Sequence, residues 1–288
     1  MTTQRGALAS TPEFDDTRPW GAYRPGTGVT MLLRLLYRVP RWLPPLVRLL
    51  RRPIKYGVHQ PVDVIIWDRK LRLMPRGNMS EQKLLVAPRL FDPGEFDLLA
   101  DRLRPGDCFV DVGANAGAYS LWADRCLAGR GRILAVEPDP EMRRRLAFNL
   151  ATNRITSVEI CPVALSDHRG DAELLVNPAQ RGENTLDARE ARRAGGDRGA
   201  LPVPVDTLLN LLTGRGIATV RALKIDIEGH EARVLRHFFA HAPSSLRPGI
   251  VIAEAKASVA VELESMFASA GYRRCLTTRL NVVYEIGN

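Results

Sequence analysis

A buried strand, a glycine turn and a helix follow one another between Asp107 and Ser120, and this stretch constrains the fold more than any other part of the chain. Residues 108–112 form a short apolar run bounded by turn signals, as is typical of a strand buried on both faces. Gly113 and Gly117 frame the turn and, having no Cβ, would let the backbone approach a ligand closely. Strand, glycine turn and helix hold nucleotide-like cofactors at the carboxyl edge of a parallel sheet. We therefore predict a cofactor site here.

From residue 105 onward, strands alternate with helices. Apolar runs predict strands at residues 108–112, 132–136, 158–163, 222–227 and 250–254, and two more strands at 272–276 and 281–286. Repeated β–α units indicate an α/β fold with a mostly parallel sheet, and the terminal hairpin indicates an antiparallel edge. We expect residues 105–288 to form this domain, residues 62–104 to form a strand hairpin and helix leading into it, and residues 1–61 to form an extension.

The N-terminal extension is basic and has two parts. Residues 1–28 are polar and rich in proline and glycine, which predicts a flexible arm. Residues 29–56 are rich in leucine, but arginine recurs every few positions, so this segment cannot span a bilayer. It either lies on an anionic membrane surface as a basic amphipathic segment or packs its leucine face on the domain, and we favour the packing.

Charge and cysteine content give weaker constraints. The chain has 288 residues and a net charge of +9, which allows anionic partners, but the excess is almost entirely arginine and also fits a solvated surface. No C-x-x-C pair occurs, so we expect reduced thiols at the four cysteines, Cys108, Cys126, Cys161 and Cys275. The first residues carry no signal-peptide core, and we expect a cytoplasmic location, with a peripheral membrane position as the second option.

The glycine turn distinguishes between nucleotide-type cofactors. A dinucleotide site uses G-x-G-x-x-G, whereas here Asn115 occupies the third position of that motif and Ala118 the last. The pattern of a P-loop is also missing from the sequence. The D-x-G-x-N-x-G turn suits a cofactor with an amino-acid end, because Asp111 can meet an amine while backbone N–H groups of the turn donate to a carboxylate. A nicotinamide dehydrogenase is therefore disfavoured.

An acidic residue at the end of the second strand indicates a ribose. Glu137 follows Asp111 by 26 positions and can accept hydrogen bonds from both ribose hydroxyls, in NAD and in S-adenosyl-L-methionine alike. Because the turn lacks a phosphate-binding pattern, we predict S-adenosyl-L-methionine. Ser166 and Asp167, after the third strand, are placed to border the adenine. The predicted cofactor-binding residues are Asp111, Gly113, Asn115, Gly117, Glu137, Ser166 and Asp167.

Four sequence blocks, in this order, resemble the FkbM-type methyltransferases. They are residues 109–117 (FVDVGANAG), 136–140 (VEPDP), 163–167 (VALSD) and 223–231 (LKIDIEGHE). The resemblance implies a class I (Rossmann-like) methyltransferase fold with a mostly parallel seven-stranded sheet and S-adenosyl-L-methionine as donor. It also implies O-methylation of a hydroxyl on a sugar, glycan or polyketide-like product. The blocks cover residues 105–254 and hardly reach residues 1–56.

Methyl transfer to a hydroxyl requires a group that takes the proton of the acceptor. His230 is the first candidate for this general base because an imidazole titrates near working pH, and Asp226 is the second catalytic candidate. Both follow the fourth strand, at the edge where α/β sheets bind ligands. Glu228 and Glu254 are candidates for substrate binding at this edge. Residues 226–230 also form a D-x-E-x-H pattern that could bind a divalent ion, but such clusters are common without metal and we predict none.

Residues 177–200 are rich in glycine, arginine and aspartate and show no periodicity, which predicts a mobile loop, either a lid or a substrate loop. We expect acceptor specificity to lie there. Two other classes of protein remain as alternatives: a basic RNA-modifying or nucleic-acid-binding protein, and a catalytically inactive adaptor at a membrane surface. Because the sequence has no recognition-helix or RNP-type motif, we expect no nucleic-acid partner, and the oligomeric state stays open.

Overall fold

The computed structural model describes residues 14–40, 43–58, 60–196, 198–254 and 260–287. Short 3₁₀ turns lie at Pro88–Leu90, Arg181–Glu183 and Ser244–Leu246. The helices and strands are, in chain order, α1 (Thr27–Arg38), α2 (Pro44–Leu50), α3 (Arg52–Gly57), β1 (Val62–Ile66), β2 (Arg69–Leu73), α4 (Met79–Val86), α5 (Pro93–Arg102), β3 (Cys108–Val112), α6 (Ala118–Cys126), β4 (Arg132–Val136), α7 (Pro140–Asn153), β5 (Val158–Cys161), β6 (Ala164–Ser166), β7 (Gly170–Val176), α8 (Ala188–Ala194), β8 (Gly199–Thr207), α9 (Leu208–Thr213), β9 (Ala222–Ile225), α10 (Glu231–His241), β10 (Ile250–Glu254), α11 (Ala260–Ser269), β11 (Tyr272–Thr277) and β12 (Asn281–Ile286).

The main sheet has seven strands in the order β11-β12-β10-β9-β3-β4-β5. The five strands from β10 to β5 run parallel, whereas β12 pairs antiparallel with both β10 and β11. The predicted α/β fold, with a mostly parallel seven-stranded sheet and an antiparallel terminal hairpin, is confirmed. The arrangement is the class I fold that the resemblance implied.

Strand β3 lies at the centre of this sheet and all five of its residues are buried. It pairs with β4 on one side and with β9, which comes much later in the chain, on the other. The chain therefore changes its direction across the sheet at β3, and such a switch point leaves a crevice at the carboxyl ends of the strands. The turn at Gly113 opens into this crevice from β3, and Asp226 follows β9 there.

A smaller sheet, in the order β6-β8-β7, lies between β5 and β9 in the chain. We call residues 177–196, which connect β7 to β8, the insert. The insert contains a 3₁₀ turn and helix α8, and the side chain of Asp187 caps that helix by accepting hydrogen bonds from the N–H groups of Arg189 and Glu190. The prediction of an irregular loop over residues 177–200 is therefore wrong for residues 188–194 and for the start of β8 at Gly199.

Residues 14–24 pack against the β1–β2 hairpin. The side chains of Asp63 and Arg72 are fully buried and form an ion pair at 2.8 Å. The Arg72 guanidinium also donates hydrogen bonds to the backbone carbonyl oxygens of Asp15, Arg18 and Pro19. The prediction of a flexible arm is therefore wrong for this stretch, and residues 1–13 lie outside the described residues.

The leucine face of the basic segment packs on the rest of the molecule, which is the alternative favoured above. Its buried side chains share one hydrophobic core with the β1–β2 hairpin and the main sheet, and they are Leu33, Leu36, Val39, Val47 and Ile54. One hydrophobic core therefore includes residues from both sides of the expected boundaries at 61/62 and 104/105. Within the described ranges, no helix combines the length and the apolarity needed to cross a membrane.

Candidate active site

The glycines of the turn are required by the packing of the chain on itself. Gly113 has a φ of +76°, and a Cβ at this position would collide with the backbone carbonyl oxygen of Asp226. Gly117 has a φ of +91°, and a Cβ there would collide with the side chain of Leu146 in α7. Both glycines were predicted to make room for a ligand. In the structure they instead let β3 and α6 approach neighbouring elements, and only Gly113 also lines the cavities described next.

Asp111 lies behind the turn. Its carboxylate is fully buried, it accepts a hydrogen bond from Ser120 Oγ at 2.7 Å, and its neighbour across the sheet is Lys224. Burial raises the pKa of Asp111, and the Lys224 ammonium works against this rise. Asp111 lines neither of the two cavities, so its position does not support the predicted contact with a cofactor amine. It ties α6 to β3 instead.

Two neighbouring cavities open at the carboxyl edge of the main sheet. The inner cavity lies between the ends of β3 and β4, strand β6 and the insert, and its lining includes Glu137, Pro138, Val163, Ala164, Leu165 and His230. The outer cavity has a volume of about 570 Å³, which is within the range of small-molecule sites. The two cavities share Gly113, Asn115, Gly182, Asp226 and Glu228 in their linings. These shared residues form the junction of the cavities.

Glu137 is the buried acid of the inner cavity. Its Oε2 accepts a hydrogen bond from the backbone N–H of Asn115 at 2.7 Å, and its Oε1 accepts one from the N–H of Asp139 at 2.9 Å. Burial raises the pKa of Glu137 to about 7, although both backbone hydrogen bonds oppose the rise. Each carboxylate oxygen has a second lone pair, so Glu137 can accept two further hydrogen bonds from a ligand. Its predicted place in a cofactor site fits this geometry.

Asn115 shapes the turn. It has a φ of +53°, and its Oδ1 accepts hydrogen bonds from Asn78 Nδ2 at 2.6 Å and from the N–H of Ala116 at 2.7 Å. Asparagine tolerates this left-handed conformation better than most residues. Asn115 therefore joins the turn to the start of α4, and it lines both cavities as predicted for a cofactor-binding position.

His230 lies beside the inner cavity and does not line the outer cavity. Its Nε2 is 3.0 Å from Ser166 Oγ, it lines the inner cavity only, and burial followed by the charge of Arg233 lowers its pKa. Ser166 is buried, and Asp167 interacts with His168 and Arg233 at the surface. Neither Ser166 nor Asp167 lines the inner cavity, where the side chains after β5 are instead Val163, Ala164 and Leu165. The prediction that Ser166 and Asp167 border the adenine is not supported.

The insert covers the inner cavity. Arg181 and Asn184 each donate a hydrogen bond of 2.8 Å to the buried carboxylate of Asp139, at the start of α7. Thr185 Oγ1 donates to the carbonyl oxygen of Glu228 at 3.0 Å. With the insert in this position the inner cavity holds about 60 Å³, far less than a nucleoside needs. The insert therefore narrows the inner cavity.

Three carboxylates gather in the outer cavity. Oxygen atoms of Asp226, Glu228 and Glu254 all lie within 4.8 Å of one another, and Lys224 Nζ is 3.2 Å from Asp226 Oδ2. Carboxylate oxygens are ligands that divalent cations prefer. One of the three carboxylates, that of Asp226, however, already has a positive partner in Lys224. The two predicted substrate residues and the predicted catalytic aspartate are thus brought together. His230 is not part of this group, whose third member beside Asp226 and Glu228 is Glu254.

The sequence does not predict the contacts of several polar residues near the two cavities. Asp139 precedes Pro140, and that pair is a recognisable helix start, but its link to the insert depends on contacts more than 40 residues away. In the outer cavity Lys83 pairs with Asp92, which also accepts a hydrogen bond from Tyr119 at 3.0 Å. No local sequence pattern predicts that Lys83, Asp92 and Tyr119 form this polar group.

The sheet order is that of the class I methyltransferase fold, and the two cavities lie at its switch point. The family described as "Methyltransferase FkbM domain" matches residues 111–274 of the chain, which is more than half of its length. The chain therefore belongs to this family.

The chain is similar to two curated proteins. It is 30% identical over 152 residues to "Methyltransferase sdnD" of Sordaria araneosa, a match that covers 44% of this chain and 58% of that protein. It is 32% identical over 162 residues to "31-O-demethyl-FK506 methyltransferase FkbM" of Streptomyces tacrolimicus, covering 46% and 60%. The chain thus spans less than two thirds of the length of these relatives.

Two solved structures are similar to the chain. The methyltransferase FkbM of Methylobacillus flagellatus KT is 15% identical, with a TM-score of 0.43, and the match covers 72% of this chain and 54% of that one. The precorrin-6y C5,15-methyltransferase of Geobacter metallireducens GS-15 is 12% identical, with a TM-score of 0.42, and the match covers 72% and 92%.

Proposed function

We propose that this protein transfers a methyl group from S-adenosyl-L-methionine to a hydroxyl of a sugar, glycan or polyketide-like product. The observation that carries the proposal is the junction of the two cavities, where Asp226 and Glu228 border both. A donor in the inner cavity and an acceptor in the outer cavity would meet at these carboxylates. The name of the Streptomyces relative describes a 31-O-demethyl compound, which favours an oxygen acceptor here as well.

The inner cavity has the chemistry that S-adenosyl-L-methionine needs. Glu137 would hold the ribose, since its carboxylate retains lone pairs that both ribose hydroxyls can donate to. Val163, Ala164 and Leu165 form an apolar wall for the adenine ring. The insert, held by Asp139, would close over the bound donor and exclude water from the site.

When bound, the donor supplies an electrophilic methyl group carried on a sulfonium. In the outer cavity, Glu228 and Glu254 orient the acceptor by accepting hydrogen bonds from its hydroxyl groups, which fixes the attacking oxygen near the junction. A carboxylate oxygen of Asp226 takes the proton of that hydroxyl. Burial works against a charge on Lys224, but Asp226 and Asp111 outweigh it and raise its pKa, so Lys224 stays an ammonium and holds Asp226 in place.

His230 has a different role in this proposal from the one that the sequence suggested. Its ring contacts Ser166 and borders the inner cavity but not the outer one, where the acceptor hydroxyl would be oriented. Because its pKa is lowered by burial, the ring is neutral at neutral pH and can pack beside the donor. We therefore assign proton transfer to Asp226 and donor packing to His230.

Calorimetry with S-adenosylhomocysteine tests the donor site. We expect the intact protein to bind it, Glu137→Ala to weaken binding at least tenfold, and Asp167→Ala, which lies outside the cavity, to leave binding unchanged. Transfer of a labelled methyl group from S-adenosyl-L-methionine into a cell extract, followed by mass spectrometry, then identifies the acceptor. Failure of the intact protein to bind S-adenosylhomocysteine would falsify the donor assignment, and label found only on nitrogen or carbon would overturn the acceptor class.

A further inference from the structure

The net positive charge of the chain is confined to one segment. Residues 17–62 contain nine of the 41 lysines and arginines and not a single aspartate or glutamate. The remaining 32 basic residues are matched in number by the 32 acidic residues, so the formal charge of +9 belongs to this segment alone. Charge concentrated in this way favours binding to an anionic partner, because the rest of the surface contributes no net attraction.

Helix α1 in this segment has two different faces. Leu33 and Leu36 are buried in the core. On the other side of the helix, solvent-exposed residues follow the i, i+3, i+4, i+7 spacing of a single face, and we call them the α1 stripe: Met31, Arg34, Leu35 and Arg38. Met31 and Leu35 are 65% and 52% exposed. Large apolar side chains set among arginines, without acidic residues, are typical of helices that lie on an anionic lipid surface.

Helix α1, which carries the stripe, contacts a helix that borders the outer cavity. Helix α1 packs on α4, and Met79 and Lys83 of α4 line that cavity. Met79 is 62% exposed, as is Leu49 of α2, and Leu280, which also lines the cavity, is 48% exposed. Exposed apolar side chains therefore occur on the N-terminal helices and beside the cavity that would hold the acceptor.

We infer that the α1 stripe docks this protein on an anionic membrane surface. Arg34 and Arg38 bind lipid phosphates, while Met31 and Leu35 enter the boundary between headgroups and acyl chains. Docking is peripheral, because the other face of α1 stays in the hydrophobic core. A nucleic acid would use the two arginines but would leave Met31 and Leu35 in water, and a lipid surface accounts for all four side chains.

Vesicle co-sedimentation tests the inference without any methyl donor, so its result does not depend on the proposed reaction. The probes are vesicles of phosphatidylcholine mixed with phosphatidylglycerol, and vesicles of phosphatidylcholine alone. We expect binding only to the anionic vesicles, weakened by added salt. Arg34→Gln with Arg38→Gln should reduce partitioning roughly 30-fold, since each arginine near the surface contributes about 1 kcal/mol. Met31→Asp with Leu35→Asp should reduce it at least tenfold.

Matched variants keep the test specific. Arg130→Gln with Arg273→Gln removes two exposed arginines elsewhere, and Ile65→Asp with Val261→Asp changes two exposed apolar residues elsewhere. Both controls should bind like the parent, and circular dichroism should show all four variants folded. The inference is overturned if the parent does not bind anionic vesicles or if the stripe and control variants weaken binding equally. Binding of generic RNA that depends on the arginines but not on Met31 and Leu35, with no vesicle binding, also overturns it.

Discussion

Lys224 Nζ lies 3.2 Å from Asp226 Oδ2 at the wall where the inner and outer cavities meet. Lys224 is 5% exposed, and its neighbour on β3 is the fully buried Asp111. The ammonium thus stands between a carboxylate that belongs to the core and one that lines the outer cavity. This arrangement gives Asp226 a fixed position without removing it from the cavity.

Replacing Asp226 with asparagine should slow methyl transfer while leaving donor binding intact. A positioned general base typically contributes 10²- to 10⁴-fold, so we expect Asp226→Asn to lower kcat by roughly 10²-fold or more. The Kd for S-adenosylhomocysteine should stay within about twofold, and Asp167→Asn serves as the control. Single-turnover methyl transfer and calorimetry measure the two quantities. An unchanged kcat in Asp226→Asn would contradict the assignment of Asp226 as the general base and would favour His230 for that role.

Donor binding should depend on pH through Glu137. The pKa of this carboxyl is raised to about 7 by burial, so it is largely protonated below that pH and charged above it. Ribose hydroxyls donate more strongly to the carboxylate, and affinity therefore rises with pH. We expect the affinity for S-adenosylhomocysteine to fall roughly tenfold from pH 8 to pH 6. Glu137→Gln should bind weakly with a flat pH profile, and an equally flat profile in the parent would contradict the assignment.

Loosening the insert should speed exchange of the donor. Arg181→Ala and Asn184→Ala each remove a hydrogen bond to the buried Asp139 carboxylate, and bonds to charged groups contribute about 1.5–3 kcal/mol. We expect the dissociation rate of S-adenosylhomocysteine to rise about tenfold in either variant. Arg189→Ala, an exposed position on the same insert, is the matched control. Stopped-flow displacement measures the rate, and identical rates in all four proteins would show that the insert does not hold the donor.

Gly113 should tolerate no side chain. Gly113→Ala combines a left-handed φ of +76° with a collision against the Asp226 carbonyl oxygen, so we expect it to cost at least ~3 kcal/mol of unfolding free energy. Gly216 has a φ of +63° and open space around its Cα. Gly216→Ala should therefore lower the unfolding free energy only through the left-handed backbone conformation, by about 1 kcal/mol. Chemical denaturation of both variants measures the difference. Equal losses would mean that the contact between β3 and Asp226 is not close.

The central strands β3, β4, β9 and β10 are predictable because each is a largely apolar run between turn residues, and burial on both faces demands that composition. The carboxylates Asp226, Glu228 and Glu254 are predictable for a related reason. Glu254 ends β10, while Asp226 and Glu228 follow the end of the neighbouring parallel strand β9, and parallel strands present their carboxyl ends at one edge. Those parts of the candidate site follow from local patterns.

The position of His230 does not follow from such a pattern. The D-x-E-x-H pattern of residues 226–230 would place the histidine beside the carboxylates only if the chain stayed extended. Glu228 and Gly229 have φ values of +58° and +102°, which turn the chain out of the strand before α10 begins at Glu231. The histidine is thereby carried to Ser166 and away from the carboxylates.

The ordered conformations of the insert and of residues 14–24 could not be predicted, because both segments are held by residues far away in the sequence. Asp139 lies more than 40 positions from Arg181, and Arg72 more than 50 from the carbonyl groups it binds. The local composition of both segments is typical of loops. It does not indicate that the buried Asp139 carboxylate holds the insert or that the buried Arg72 guanidinium holds residues 14–24.

The confinement of the net charge to residues 17–62 makes the charge of the chain asymmetric, because the other residues carry equal numbers of basic and acidic side chains. Near an anionic surface the potential decays over about 8 Å at physiological ionic strength, so it varies steeply across the molecule. The segment with the excess positive charge is attracted more strongly than the rest of the chain, which favours approaches in which this segment leads. The rate of productive encounters is then governed by orientation during approach, and low salt should increase that rate by lengthening the distance over which this segment is attracted.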